Sequence, residues 1–121
     1  MKEQLKIRFK KFALSIIQLC DSLPKRNATF IISNQVIRSS TSMGANYRSA
    51  LRGRSTAEFL SKLGIVEEES DETLYWLELI SDSGLASQER IEPLWKECNE
   101  LLAIVVSAIN TTRKNQKTSK S

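Results

Sequence analysis

The chain has 121 residues, 26% of them charged, and a formal net charge of +4, a size that suits one domain with a single core and is too short for two. Histidine is absent and cysteine occurs twice, which removes the commonest general base and leaves too few soft ligands for a four-ligand zinc site within one chain. Conventional catalysis, a resident metal or other cofactor, and a small-molecule substrate are therefore not expected.

The opening segment MKEQLKIRFKKFALSI is charged and helical in period, with no apolar run long enough for a signal peptide or a membrane span. A cytoplasmic protein without membrane contact is expected, and in that reducing compartment Cys20 and Cys98 should be free thiols. Leu5, Phe9, Phe12, Ile16, Leu19 and Leu23 recur in steps of four and three, which marks the buried seam of a first helix ended by Pro24. Asn27 can cap a second helix, whose seam is Ile32, Val36, Ser40, Met43, Tyr47 and Leu51 and whose stop is Gly53.

Ser55-Thr56-Ala57-Glu58 has the capping-box form, in which serine and glutamate reciprocally satisfy free backbone amides. The third helix that follows buries Phe59, Leu63, Val66, Ser70, Thr73, Leu77 and Ile80, and Gly84 terminates it. The fourth helix carries Ile91, Trp95, Cys98, Leu102, Val105 and Ile109, with Leu94, Leu101 and Ala108 widening the apolar face. Ser87 resembles a cap, but proline is tolerated only in the first helical turn, so the regular helix is expected to begin close to Pro93.

The predicted helices thus lie at about 3–22, 28–52, 56–82 and 88–111. Short connections force successive helices to run antiparallel, which predicts an all-α, up-and-down four-helix bundle over residues 1–110. Residues 111–121, TTRKNQKTSKS, contain no apolar side chain and read as a disordered basic tail.

Charge divides sharply along the chain. Residues 1–54 carry 11 Lys and Arg against 2 Asp and Glu, whereas residues 55–110 carry 3 against 12, so the first two helices are basic and the last two acidic. At 100° per residue, Arg38, Ala45 and Arg52 fall opposite the seam of the second helix with Thr41 and Arg48 beside them. Glu68, Asp71, Tyr75, Glu78 and Asp82 fall opposite the seam of the third. Such stripes serve as solvated faces, as complementary subunit contacts, or, on the basic side, as phosphate contacts.

Leu14, Ile17, Phe30, Ile31, Ile37, Ile65 and Leu79 lie off the seams, more apolar surface than four helices hide unaided, which points to self-association. The segment Arg38 to Tyr47 is rich in serine, threonine and glycine, all poorer helix formers than alanine. Ser39, Ser42, Gly44 and Asn46 are accordingly assigned to close helix packing with interhelical hydrogen bonds. The segment lacks the loop glycines and following lysine of a phosphate-binding loop, and the carboxylates of Glu67-Glu68-Glu69 splay around their helix rather than converge as a catalytic pair.

The run Gln35-Val36-Ile37-Arg38-Ser39-Ser40-Thr41-Ser42-Met43-Gly44-Ala45-Asn46-Tyr47-Arg48, with Glu58-Phe59-Leu60, Lys62-Leu63 and Asp71-Glu72-Thr73-Leu74-Tyr75-Trp76-Leu77, resembles the bacterial 23S rRNA intervening-sequence protein family. With the first helix, the likeness covers nearly the whole bundle. Members usually carry an acidic residue two places after the tyrosine, where this chain has Ser49. The resemblance implies an up-and-down bundle and a ring-shaped homopentamer, and a relative in retroelements is a basic accessory protein to a reverse transcriptase.

Together these readings predict a non-catalytic oligomer that associates with RNA or DNA through Arg38, Arg48, Arg52, Arg54, Lys114 and Lys117. The alternative is a protein scaffold assembled by basic-to-acidic contacts. Subunit contacts are assigned to Glu68, Asp71, Tyr75, Glu78, Ile31 and Ile37.

Overall fold

A computed structural model describes residues 2–120, apart from the side chains of residues 119 and 120. Residues 1 and 121, the outermost positions of the expected bundle and tail, lie outside the described residues. Four helices follow in order: α1 (Lys2–Ser22), α2 (Asn27–Leu51), α3 (Thr56–Asp82) and α4 (Gln88–Lys120). No strand occurs among the described residues, and the fold is an all-α four-helix bundle.

Each helix packs against its neighbours in sequence, and α1 with α4 closes the bundle through the thinnest contact. Contacts of α2 with α3 pair Arg38 with Glu69 and Ser39 with Thr73, while the turn places Gly53 beside Phe59, so the two run antiparallel. Phe9 against Tyr47 fixes the same sense for α1 and α2. Where α1 and α4 part, an apolar cleft of about 630 Å³ opens between Leu5, Tyr47, Phe59 and Ile104.

The seams become the core. Phe9, Phe12, Ile16, Leu19 and Leu23 are buried from α1 and the turn after it, Val36, Met43 and Tyr47 from α2, and Leu63, Val66, Leu77 and Ile80 from α3. On α4, Ile91, Cys98, Val105 and Ile109 are buried, but Leu101 takes the central position and Leu102 is half-buried. Of the residues off the seams, Ile17, Ile37, Ile65 and Leu79 are half-buried and broaden the core, while Leu14, Phe30 and Ile31 remain exposed.

The helix ends follow local chemistry. Ser55 caps α3, its hydroxyl accepting from the Glu58 amide at 3.1 Å, and the Glu58 carboxylate accepts from the amide of Arg54 at 3.0 Å, one residue before the cap. At the other end Gly84 takes φ +78°, the Leu85 amide donates to Ile80 O and the Gly84 amide to Ser81 O, each at 3.1 Å. This is a Schellman closure, with Leu85 buried beneath it.

Three expectations need correction. Asn27 is not a cap but the first residue of α2, Arg26 holds the cap position without a side-chain bond, and the Thr29 hydroxyl instead donates to Pro24 O at 2.5 Å. The fourth helix begins at Gln88 rather than near Pro93, because Ser87 accepts from the Arg90 amide at 3.2 Å. Pro93 then sits in the second turn, where its missing N–H leaves the carbonyl of exposed Glu89 to solvent.

The third correction concerns the C-terminus. Residues 111–120 continue α4, which spans 33 residues, rather than forming a disordered tail. The stretch holds neither glycine nor proline, the Thr112 hydroxyl donates to Ala108 O at 2.8 Å, and its cations complement the negative helix end. Lack of apolar residues removes a reason to pack, not the ability to coil.

Candidate functional site

The small-residue segment lies at the α2/α3 contact. Ser39 and Ser40 are fully buried, and the Ser39 and Thr73 hydroxyls share a hydrogen bond of 2.7 Å across the two helices. Asn46 Nδ2 donates to both O and Oγ of Ser42 at 2.9 Å. Gly44 faces α1 instead: a Cβ there would stand 3.3 Å from Phe9 Cβ, so its absence sets how closely α1 and α2 approach. Ser39 and Gly44 thus sit at contacts between helices, whereas the Asn46 bonds to Ser42 lie within α2 and are not the interhelical bonds expected of them.

Arg38 departs from its expected role. Its guanidinium reaches across to α3, with Nη1 2.9 Å from Glu69 Oε2 and Nη2 hydrogen-bonded to Glu72. The charge expected to point outward at a phosphate is thus answered within the chain. Glu72 also accepts from the Trp76 indole at 3.0 Å, and that bond, with Arg38 adding to it against partial burial, holds its carboxyl below the usual value. Arg8 makes a similar link from α1 to α4, at 2.7 Å from Glu97 and 3.0 Å from Glu100.

The Glu72 shift fixes a sign for pH. A carboxyl whose pKa is depressed by folding contributes stability that is full above the unfolded value and is lost as pH falls through the folded one. Urea unfolding should therefore show stability declining as pH drops below the ordinary glutamate value of 4.5. A Glu72→Gln variant should show a shallower decline, and equal slopes would refute the assignment.

Arg48 is different. Together with Lys6 and Lys10 of α1 it rims a groove of about 470 Å³ between α1 and α2, floored by Phe9, Gly44 and Ala45. Glu3 enters this groove and pairs with Lys6 at 3.2 Å, whereas Lys10 and Arg48 have no carboxylate partner among the described residues. Lys6 and Lys10 were not singled out from the sequence. Their signal was the four-residue spacing, which puts both on one flank of α1.

A second basic zone caps one end of the bundle. Arg52 and Arg54 are exposed in the α2/α3 turn, and Arg54 lies beside Lys2 and Thr112 around a shallow depression. From Thr112 onward α4 continues with Arg113, Lys114 and Lys117 exposed. Arg52, Arg54, Lys114 and Lys117 therefore share an end of the molecule rather than one face.

The acidic stripe is where the spacing put it. Glu68, Asp71, Tyr75, Glu78 and Asp82 are all exposed on α3, with Tyr75 edge-on to Trp76 at 5.3 Å between ring centroids. Glu78 accepts from the Trp95 indole at 3.1 Å, at the edge of a depression shared with Asp82, Glu92 and Lys96. Ile31 is exposed and available for contact, but Ile37 packs against the core and is not.

Reactive groups do not gather. Burial pushes the Cys98 thiol up to about 12 and raises Cys20 also, so both are thiols at neutral pH and poor nucleophiles. Among the described residues no group of three His, Cys, Asp or Glu side chains is placed to hold a metal ion. No described helix is long and apolar enough to cross a membrane.

Comparison with known proteins agrees with this architecture. The family model described as 23S rRNA-intervening sequence protein matches residues 4–107, from α1 into α4. Among solved structures, a protein of unknown function from the S23 ribosomal protein family of Bacteroides thetaiotaomicron is 35% identical. It covers 87% of this chain and 97% of its own, with a TM-score of 0.81. No curated protein sequence matches significantly.

Proposed function

The chain belongs to the 23S rRNA-intervening sequence protein family, and on that premise we propose that it is a non-catalytic protein that associates with RNA or DNA through phosphate contacts. The single observation that carries this reading is the contrast among cations. Arg8 and Arg38 are answered by carboxylates of their own chain, while Lys10, Arg48, Arg52 and Arg54 have no carboxylate partner among the described residues. Unanswered cations lining a groove and one end of a bundle attract a polyanion and release its counterions, without reading base sequence.

Filter binding of labelled RNA and DNA across a salt series tests the reading. Retention should rise as salt falls, with log K linear in log salt and a slope of roughly −0.7 to −0.9 for each phosphate neutralised. Absence of retention at low ionic strength would falsify it.

Segregated charge favours a second reading, self-assembly, with the exposed Tyr75 and its flanking carboxylates docking on the basic half of a neighbouring copy. The homopentameric ring implied by the resemblance is one closed form of such a contact. An oligomer whose mass by light scattering is unchanged in Glu68→Lys/Asp71→Lys would exclude the acidic face as that contact. Both readings draw on the basic α1/α2 half, so a neighbour's acidic stripe seated on the groove would compete with nucleic acid there.

A further inference from the structure

The α1/α2 surface carries more than charge, and what it adds bears on which polyanion fits. Phe30 is 59% exposed, unusual for a phenyl ring in a chain with only four. It stands 18 residues before Arg48, five full helical turns, so the two share an angular position on α2 about 27 Å apart. Lys25 and Arg26 lie just ahead of Phe30 and are exposed. The surface is thus a line with cations at each end, an exposed ring near one of them, and a groove with a small-residue floor near the other.

A duplex turns its base faces inward and meets a protein surface chiefly with phosphates, so it would leave both the ring and the groove floor unused. A single strand has free base faces, and a basic track with an aromatic ring on it is the general means of holding one without sequence preference. The groove between α1 and α2 holds about 470 Å³, room for a short stretch of one backbone and not for the body of a duplex.

Resting on the phosphate-binding reading above, we infer that this surface takes single-stranded nucleic acid in preference to duplex. Its phosphates lie along Lys10 and Arg48, and one base stacks on Phe30. Phe30 supplies attraction by its π face, so an apolar residue of similar size without a ring does not replace it.

Fluorescence anisotropy with a labelled 15-nucleotide strand and the matching duplex, at equal low salt, tests this. The wild type should bind the single strand about tenfold or more tighter than the duplex. Phe30→Leu should weaken the single strand by about 5- to 150-fold, the range of one stacked base, and leave the duplex unchanged. Phe30→Tyr should retain wild-type affinity, and because the position is exposed the far-ultraviolet spectrum of each variant should match the parent.

Equal affinity for the two forms, or full single-strand affinity in Phe30→Leu, overturns the inference while leaving phosphate binding intact. Failure of the wild type to bind either form overturns both.

Discussion

Phe9→Ala is expected to destabilise the fold by about 3–5 kcal/mol, measured as a drop in urea midpoint with an unchanged m-value. The side chain is 1% exposed, its ring lies 4.9 Å from that of Tyr47 at an interplanar angle of 30°, and its Cβ fills the space Gly44 leaves open. Truncation leaves a cavity that helix backbones already in close approach cannot collapse to fill. Gly44→Ala probes the same contact from the other side. The atoms nearest the new methyl are Phe9 Cβ at 3.3 Å and the Phe9 backbone, which Phe9→Ala keeps, so in both backgrounds the methyl presses on α1 and the helix propensity gain of about 1 kcal/mol should be offset. A loss below about 1.5 kcal/mol for Phe9→Ala, the range of an isosteric exchange, would mean that Phe9 is not the α1/α2 keystone described.

Lys6→Glu/Lys10→Glu/Arg48→Glu should reduce nucleic-acid affinity by orders of magnitude at low salt and flatten its salt dependence. With Lys6 already paired with Glu3, the two phosphate contacts of Lys10 and Arg48 at about −0.7 each for a single strand correspond to a slope change of roughly 1.4. Reversal also places like charges near the strand and sets residue 6 against Glu3, so the loss exceeds simple removal. Lys10 and Arg48 are exposed and Lys6 is half-buried at the rim, so the helical spectrum should be retained. Lys96→Glu, on a cation already paired with Glu92 at 2.8 Å among acidic neighbours, should leave binding near wild type. If the triple variant binds with wild-type slope, the groove is not the contact surface.

Much of the fold was legible because the information is periodic and local. Steps of three and four placed Val36, Val66, Leu77 and Cys98 in the interior, Ser55 announced α3, and Gly84 announced its end. The small-residue segment was legible for a related reason: serines and a glycine in mid-helix lower propensity, so something nearby must hold them, and Thr73 and Phe9 are what does. Where one helix alone could not decide, the reading went astray. A wheel gives the direction of Arg38 but not the two carboxylates that α3 brings within its reach. It placed Ile37 off the seam without showing the neighbour that covers its flank.

Lys6 and Lys10 were missed for the converse reason. On α1 they read as ordinary surface lysines, and only the antiparallel approach of α2, allowed by Gly44, sets them beside Arg48. Pro93 misled because the rule against proline inside helices weighs a lost hydrogen bond, and here the orphaned carbonyl belongs to an exposed residue that water can serve. The basic C-terminal stretch misled because composition speaks to burial, whereas helix continuation depends on backbone propensity and end charge.

A titration of isotope-labelled protein with a single-stranded oligonucleotide, followed by amide chemical shifts, examines the groove without any substitution. Binding there predicts shifts concentrated at Ala13, Thr41, Gly44, Ala45 and Arg48, with smaller ones around Phe30 and little change along Glu68 to Asp82. Shifts centred on α3, or spread evenly over the bundle, would contradict it.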